Sequence, residues 1–420
     1  YNLLADGIQQ VMRAVADAEG SDVEGWAEEH ELGRYVASSV KGEAEVDWDD
    51  EEARMEFLHG IVRDAERLLQ VAGDVRAGRV EGDEKSERIG RASALLRQLV
   101  IQDVEVGEEE SRLREGVARD RIVSVHDPEM RHGRKSRSKQ FDGYKAAIAV
   151  DAESQLITAV EVLAGNAPDN ERALELTEAS EENSGLKVTE TIGDCAYGDG
   201  STRQAYADAG RKLVAKVPSR GRCSHISKDE FKIDLEEMTC TCPAGQTTRA
   251  LIRQGYRRDR GGKKHLLRAF LFDGPICVAC PLHSQCVKAK GAKGRTVSLH
   301  PQERLLQEAR ALQGSPAFEE YNQKRQVAEH RLARLVQLGI RQARYFGRTK
   351  TLHQLLMAAT VANITLVAAK TGEMRARSRR TLSFFSRAIA YAKSIWRQLS
   401  RPELGFFPIS PSKAPFRPRF

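Results

Sequence analysis

Three acidic residues occupy positions from which they could hold catalytic metal ions. Asp127 follows the apolar residues of a predicted strand, Asp194 ends another predicted strand, and Glu329 lies on a predicted helix further along the chain. Because the ends of neighbouring strands meet at one edge of a mixed sheet, the two aspartates could lie side by side there. A helix packed across that edge would add the glutamate. Two Mg²⁺ ions held by such a cluster can activate a nucleophile and stabilise the leaving oxygen of a phosphodiester.

The helix face around Glu329 carries groups that could hold DNA. Tyr321, Arg325 and Glu329 are spaced four residues apart, so they share one face of the predicted helix. An arginine beside a metal-binding carboxylate can grip a DNA phosphate with its forked set of N–H donors. The simpler interpretation is a surface ion pair of the kind found on most charged helices, and the residue types alone leave both open.

Cysteines form a second group that could do chemistry. Five of the seven cysteines lie between residues 240 and 286, namely Cys240, Cys242, Cys277, Cys280 and Cys286. Two short cysteine-bearing turns joined by a small sheet predict a tetrahedral thiolate site for one structural Zn²⁺ ion. Five thiols compete for its four positions, and the alternative is a set of free thiols in a reducing cytosol. Cys195 and Cys223 are interpreted as small core or loop residues.

Two basic segments could neutralise a nucleic-acid backbone. Residues 131–140 hold five Lys and Arg directly after Asp127, and a second segment, 341–348, mixes arginine with aromatic residues. Cations of this kind bind phosphates without reading the base sequence, and aromatic rings suit a strand end. The predicted DNA-binding residues of the two segments are Arg134, Lys135, Arg137, Lys139, Arg341, Arg344 and Arg348, with Tyr345 and Phe346 beside them. Taken alone, each segment could also be a solvated loop.

The elements that must position these residues follow from the spacing of apolar residues. Ala53–Leu69 and Ile89–Leu99 have helical spacing, whereas the pattern after residue 121 is typical of strands. The predicted strands are 122–125, 144–150, 156–162, 188–194 and 212–217, with helices from about 169, over 201–210, over 315–338 and over 352–369. This order predicts an α/β fold with a mixed sheet that begins antiparallel.

The same pattern divides the chain into five parts. These are an acidic helical region at 1–120, a first part of the catalytic domain at 121–217, a cysteine-rich insertion at 218–314, a catalytic helix with a packing helix at 315–370, and a basic tail at 371–420. In this scheme the insertion interrupts the sheet-forming domain between its last strand and the helix that carries Glu329.

Charge is distributed unevenly along the 420 residues. The net charge is only +6, but residues 1–120 hold 15 Lys and Arg against 30 Asp and Glu, while the remaining 300 residues have a net charge of +21. An acidic module attached to a basic body favours a protein that handles nucleic acid, although charge that merely maintains solubility is the alternative. The sequence shows neither a signal peptide nor a long uninterrupted apolar run, so we expect no membrane partner.

Several phrases of the sequence occur together in the order seen in one enzyme family. They are VSVHDPEMRHGRKSRSKQFDGYKAAIAVD, LITAVEVLAGNAPDN, ETIGDCAYGDG, CPAG, CVACPLHSQC, YNQKRQVAEHRLARL and IRQARYFGRTK. Over about residues 121–370, the chain resembles the DDE transposases of bacterial insertion sequences, in particular the subgroup with a cysteine-bearing insertion before the catalytic glutamate. The resemblance implies a ribonuclease-H-like core, a mixed sheet flanked by helices, two Mg²⁺ ions and double-stranded DNA as substrate.

The resemblance also implies roles for single positions. Asp127 and Asp194 match the two metal-binding aspartates, and Glu329 matches the catalytic glutamate. Arg325 matches the arginine one turn before that glutamate. Tyr321 is one residue further from the arginine than in the related signature, and Val336 stands in place of its lysine. We therefore expect Arg334 or a later arginine to make the lysine's phosphate contact.

The phrase CPAG contains Cys242 and not Cys240. The expected zinc ligands are therefore Cys242, Cys277, Cys280 and Cys286, with Cys240 or His283 as the substitute. The expected function is a transposase that cleaves transposon ends and transfers the 3′-hydroxyl to target DNA, acting as a dimer or larger complex in the bacterial cytoplasm beside the nucleoid. A catalytically inactive DNA-binding regulator and a hydrolytic nuclease of the same fold are the alternatives.

Overall fold

Helices and short strands alternate in two compact units of the chain. The computed structural model describes residues 1–36, 39–80, 82–107, 110–116, 118, 120–136, 138–218, 226–258, 262, 264–287, 293–375, 389–394 and 397. The first unit comprises Tyr1–Ala146, Val162–Ala167 and Arg341–Leu355. The second comprises Ala147–Glu161, Pro168–Ile340 and Leu356–Phe420. The five-part division expected from the sequence stays a prediction.

The secondary structure elements have the following bounds. The helices are α1 Asn2–Glu19, α2 Val23–Glu29, α3 Val40–Glu43, α4 Glu51–Ala77, α5 Glu84–Asp103, α6 Ala173–Ser184, α7 Gly200–Asp208, α8 Gly274–Val278, α9 His283–Cys286, α10 Glu303–Gln313, α11 Phe318–Leu335 and α12 Arg348–Arg375. The strands are β1 Val104–Val106, β2 Ser111–Leu113, β3 Arg131–Arg134, β4 Gln140–Val150, β5 Ile157–Ala164, β6 Glu190–Ile192, β7 Lys212–Val214, β8 Lys232–Asp234, β9 Thr239–Thr241, β10 Thr247–Thr248, β11 Leu251–Arg258, β12 Lys264–Leu271 and β13 Thr296–Leu299.

The N-terminal helices of the first unit form one hydrophobic core. Apolar side chains at helical spacing on α1, α4 and α5, such as Ile8, Leu58 and Leu96, are almost completely buried. Two aspartates begin the long helices, because Asp50 accepts a hydrogen bond from the Glu52 amide and Asp83 from the Ser86 amide. The predicted helices at 53–69 and 89–99 are therefore present and extend further in both directions.

The first unit also contains the β3–β4 hairpin. Arg131 pairs with Gly143 and Arg134 with Gln140 in an antiparallel register, and the sheet order is β3-β4-β5. Gly133 allows close packing, since a Cβ there would lie 2.5 Å from the Gly165 carbonyl oxygen. The strand predicted at 122–125 is wrong: Ile122 makes an isolated bridge to Arg131, and the backbone then bends at Val125 and His126, before Pro128.

In the second unit, β6 and β7 form a separate parallel pair with Glu190 opposite Lys212. The mixed α/β class is confirmed, but among the described residues the strands are distributed over small sheets of two or three strands. The prediction that Asp127 and Asp194 end neighbouring strands of one sheet is wrong for this reason. Helix α11 ends in a π-helical turn, Val336–Ile340, where Gly339 has a φ of +92°.

Residues 226–299 of the second unit form the cysteine-rich part. Two antiparallel sheets, ordered β10-β9-β8 and β11-β12-β13, enclose a small core of Phe231, Cys240, Phe270, Phe272 and Val297. Few large apolar side chains contribute to this core, so packing alone gives it limited stability.

One described helix, Arg348–Thr371, is long and apolar enough to cross a membrane by length and composition, and a third of its apolar 18-residue window is buried. Within the second unit this helix packs on protein, because Asn363 bonds both the amide and the carbonyl of Ile157 on β5 at 2.9 and 2.8 Å. A core helix passes the same test, so the finding is weak evidence for a membrane span.

Candidate active site

Asp127 is buried in the first unit, and each of its carboxylate oxygens accepts one hydrogen bond. It is 1% exposed, and its Oδ1 accepts a hydrogen bond of 2.6 Å from the Tyr144 hydroxyl on β4. Its Oδ2 accepts a hydrogen bond of 3.0 Å from the Gly347 amide, just before α12 begins. Burial and the hydrogen bond to Asp127 raise the pKa of Tyr144 above its usual value, so the phenol stays a proton donor.

Asp194 lies in the second unit, in the turn that follows β6. Its Oδ1 accepts a hydrogen bond of 2.8 Å from the Ala196 amide, and the side chain is exposed. Two glycines give this turn its shape: a Cβ at Gly193 would lie 2.8 Å from the Tyr197 Cβ, and one at Gly198 would overlap the Lys216 carbonyl oxygen. Burial, with Asp194 and Asp169 nearby, raises the pKa of Tyr197 to about 12.

A cavity of about 260 Å³ in the second unit connects the Asp194 turn with α11. Its walls include Asp194, Lys216, Phe318, Tyr321 and Arg325. Two cationic side chains and one carboxylate therefore face a space large enough for a phosphate group. Because β7 ends at Val214 and α11 begins at Phe318, residues on both sides of the cysteine-rich part line this cavity.

Glu329 is paired with Arg325 on the exposed surface of α11. The Arg325 Nη1 lies 2.5 Å from the Glu329 Oε1, and the Glu329 side chain is 59% exposed. The i, i+4 ion pair considered in the sequence interpretation is thus present. The ion pair leaves Glu329 accessible to solvent. Arg325 lines the cavity, and Glu329 lies one helical turn further along α11.

Tyr321 lines the cavity with its ring but has protein partners for its hydroxyl. The hydroxyl donates to Glu190 at 2.9 Å and accepts from Lys212 at 3.1 Å, and these two residues are opposite each other on β6 and β7. The hydroxyl therefore joins α11 to the β6–β7 pair, which is a structural role. A DNA contact by Tyr321 stays a prediction that would involve its ring.

The basic residues predicted to bind DNA lie in several places. Arg134, Lys135 and Lys139 are exposed at the tip of the β3–β4 hairpin, whose turn is closed by a 2.8 Å bond from the Lys135 amide to the Lys139 carbonyl. Arg344 is exposed, and Arg334 donates to Gln337 at 3.2 Å. The Arg348 amide donates to Glu129 at 2.7 Å. Arg137 lies outside the described residues.

Four cysteines line one very small cavity. Cys242, Cys277, Cys280 and Cys286, together with His283, line a space of about 30 Å³. Arg295 organises its wall, because its guanidinium bonds the carbonyls of Cys286 at 2.7 Å and Ile226 at 3.1 Å. Its amide points to the Cys277 sulfur at 3.5 Å.

Cys240 does not line this cavity. It is fully buried in the adjacent core, where burial raises the pKa of its thiol to about 11. His283 lies at the cavity, but its Nδ1 is 2.8 Å from the Cys277 carbonyl oxygen. All six cysteines among the described residues are free thiols; Cys195 is exposed, and Cys223 lies outside those residues. As the side chains are placed, no three His, Cys, Asp or Glu groups in the described ranges could hold one metal ion.

Sequence reasoning missed the residues that surround the candidate acids. Tyr144 and Gly347 contact Asp127, and Lys216 lines the same cavity as Asp194, but all three are distant from these acids in the chain. The phrases that contain Tyr144 and Gly347 carried a signal, since both were part of the resemblance. Nothing in the spacing of these residues indicated which carboxylate each would contact.

Comparison with known protein families finds a match, in the part of the chain that contains α11 and most of the cysteine-rich part. Residues 241–368 match the family model described as Transposase DDE domain. The match covers just under a third of the chain and includes Arg325, Glu329 and the four cysteines, while Asp127 and Asp194 lie before it. No curated protein and no solved structure shows significant similarity to the chain.

Residues 241–368 therefore match a transposase DDE domain, and the resemblance of the chain to DDE-type transposases is confirmed. A DDE domain implies a ribonuclease-H-like fold, a divalent metal requirement and DNA as the partner.

Proposed function

We propose that the protein is a transposase that cuts DNA at transposon ends and joins the freed 3′-hydroxyl to target DNA. The observation that carries the proposal is the cavity that Asp194 shares with Arg325, one turn from Glu329 on the helix of the matched DDE domain. The arrangement combines an exposed carboxylate with cations suited to a phosphodiester. We assign Asp127, Asp194 and Glu329 as the catalytic acids.

The donor chemistry of these residues fits magnesium. Carboxylate oxygens are the ligands that Mg²⁺ prefers, and Asp194 and Glu329 are exposed. Two bound Mg²⁺ ions would supply activation of the attacking oxygen and charge stabilisation of the leaving oxygen. Arg325 and Lys216 hold the phosphodiester in the cavity, and the wall formed by Phe318 and Tyr321 orients the strand end.

Product sizing tests this function against its two alternatives. The purified chain is incubated with labelled transposon ends and Mg²⁺, and the products are separated by length. A transposase gives cleaved ends and longer joined products, whereas a hydrolytic nuclease gives cleaved ends alone. A regulator without catalysis gives a shifted DNA band with intact strands. Repetition over a range of protein concentrations tests whether the active complex is the proposed dimer or larger assembly.

DNA binding is expected to depend strongly on the hairpin tip. Arg134, Lys135 and Lys139 are exposed with no acidic side chain in the described hairpin turn, and each phosphate neutralised releases condensed counterions. In the triple Gln variant, the slope of log affinity against log salt should flatten by about 2 to 3. Binding should weaken equally for all DNA sequences, as measured by fluorescence anisotropy.

A triple variant of matched charge provides the control for this measurement. Arg88, Arg91 and Arg112 are also exposed in the first unit, but each is paired with an acid of the helical region. Their replacement by Gln removes the same total charge and should leave the slope as in the unaltered protein. An equal effect of both triple variants would show that the hairpin tip has no special contact with phosphates.

The proposal includes one structural zinc ion in the cysteine cavity. Its support is the placement of Cys242, Cys277, Cys280 and Cys286 around one small cavity, next to a core with few large apolar side chains. Binding of the ion requires the four thiols to move from their present positions, in which no three such groups among the described residues could hold one metal ion. The site would stabilise the part of the chain between β7 and α11. Action in the bacterial cytoplasm, beside the nucleoid, is part of the same proposal.

A further inference from the structure

Two segments more than two hundred residues apart meet around Asp127 in the first unit. The His126 and Phe346 rings are 6.0 Å apart between centroids and tilted by 31°. Asp127 accepts from the Gly347 amide, and Glu129 accepts from the Arg348 amide. The HDPE segment, residues 126–129, therefore runs alongside the FGR segment, residues 346–348, with contacts in sequence order.

Tyr144 completes the enclosure of the Asp127 carboxylate from a third segment. Its hydroxyl binds Oδ1 while the Gly347 amide binds Oδ2, so the carboxylate cannot rotate without losing one hydrogen bond. Each carboxylate oxygen has two lone pairs, and each hydrogen bond uses one of them. The carboxylate is therefore fixed in orientation and keeps an acceptor site on each oxygen.

The backbone at Gly347 is shaped for this contact. Its φ is +88°, a conformation that side-chain-bearing residues adopt with strain, and its amide lies at the start of α12, where helical N–H groups have no partner within the helix. In the same turn, the Arg348 amide donates a hydrogen bond to Glu129. A glycine at this position allows two successive amides to point at two acidic residues.

We propose that Tyr144 and Gly347 are positioning residues that hold Asp127 ready to bind a divalent cation. The inference rests on the proposed function, in which Asp127 is the first catalytic acid. Hydrogen bonds from neighbouring groups orient ligating side chains, and their loss commonly costs 10- to 100-fold in metal affinity. The hydroxyl of Tyr144 and the amide of Gly347 are such groups, and neither touches the reacting atoms.

Binding of Mn²⁺ to the complete chain tests the role of Tyr144. The Asp127-dependent part of the binding is the part that Asp127→Asn removes in an electron paramagnetic resonance titration. Tyr144→Phe should weaken this part by about 10- to 100-fold. The matched control is Tyr35→Phe, since the Tyr35 hydroxyl also donates to an aspartate of the first unit, Asp64, at 2.8 Å. This control should bind Mn²⁺ as the unaltered protein does.

Cleavage kinetics and Gly347→Ala provide a second, independent measurement. Both Tyr144→Phe and Gly347→Ala should raise the Mg²⁺ concentration needed for half-maximal cleavage, and saturating Mg²⁺ should restore most of the rate for Tyr144→Phe. A loss of rate that saturating metal does not restore, or unchanged Mn²⁺ affinity in folded Tyr144→Phe, overturns the positioning role. If the unaltered chain has no Asp127-dependent Mn²⁺ binding and no cleavage, the proposed function itself fails, and this inference with it.

Discussion

Replacement of Glu329 by Gln should abolish both cleavage and joining of transposon ends while leaving DNA affinity nearly unchanged. The change removes one negative charge from a site proposed to hold two divalent cations but keeps the side-chain volume. The structural cost is small, because Glu329 is exposed and loses only its surface ion pair with Arg325, worth about 0.3 to 0.5 kcal/mol. Product sizing and anisotropy on the same preparation separate chemistry from binding.

Glu320→Gln is the matched control for this experiment. Glu320 lies on the same helix and makes the same kind of i, i+4 ion pair, with Lys324 at 2.6 Å. Its replacement removes an equal charge outside the proposed acid set, so cleavage should continue at the normal rate. Loss of activity in Glu320→Gln with retention in Glu329→Gln would reverse the assignment of the catalytic glutamate.

The two aspartates should differ in the structural cost of the same substitution. Asp194→Asn keeps an oxygen for the single bond from the Ala196 amide, so inactivation should come without a change in stability. In Asp127→Asn, the NH₂ group of the new side chain would face either the Tyr144 hydroxyl or the Gly347 amide. Both of these groups donate hydrogen bonds, so one donor would lose its acceptor inside a buried site. This substitution should therefore lower the free energy of unfolding by about 1 to 3 kcal/mol as well as abolish cleavage.

The sequence predicted correctly those parts of the candidate site whose residues lie on a single secondary structure element, the helix α11. Tyr321, Arg325 and Glu329 share a helix face as their spacing requires, and the Arg325–Glu329 pair is present. The spacing of apolar residues also predicted the consecutive strands β4 and β5 and the long N-terminal helices α4 and α5. In each case, neighbours in the chain determine the contact.

Contacts between distant segments could not be predicted in the same way. The prediction placed Asp127 at the end of a strand because Ile122, Val123 and Val125 are β-branched, but the chain bends after a single bridge. The partners of Asp127 come from β4 and from the start of α12, and no periodicity connects these positions. Similarly, the choice of Cys242 over Cys240 depended on a family phrase, and it is the burial of Cys240 in the core that explains why it does not line the cavity.

Removal of zinc should destabilise the cysteine-rich part of the chain. We expect about one Zn²⁺ per purified chain, and we expect Cys280→Ser to lose it, because three thiolates and one hydroxyl hold this ion less tightly than four thiolates. Cys195→Ser is the matched control, since Cys195 is an exposed thiol outside the cysteine cavity. It should keep the full metal content when both variants are analysed by atomic emission.

The structural consequence of zinc loss can be measured separately from the metal content. Among the described residues, the core next to the cavity has five buried side chains, and Arg295 connects the Cys286 and Ile226 carbonyls that the site would draw together. Chelation should therefore speed amide hydrogen exchange over β8–β13 while α1, α4 and α5 stay protected, because those helices have their own core. A folded protein without zinc, with exchange in β8–β13 unaffected by chelator, would show that the four thiols are only packing residues.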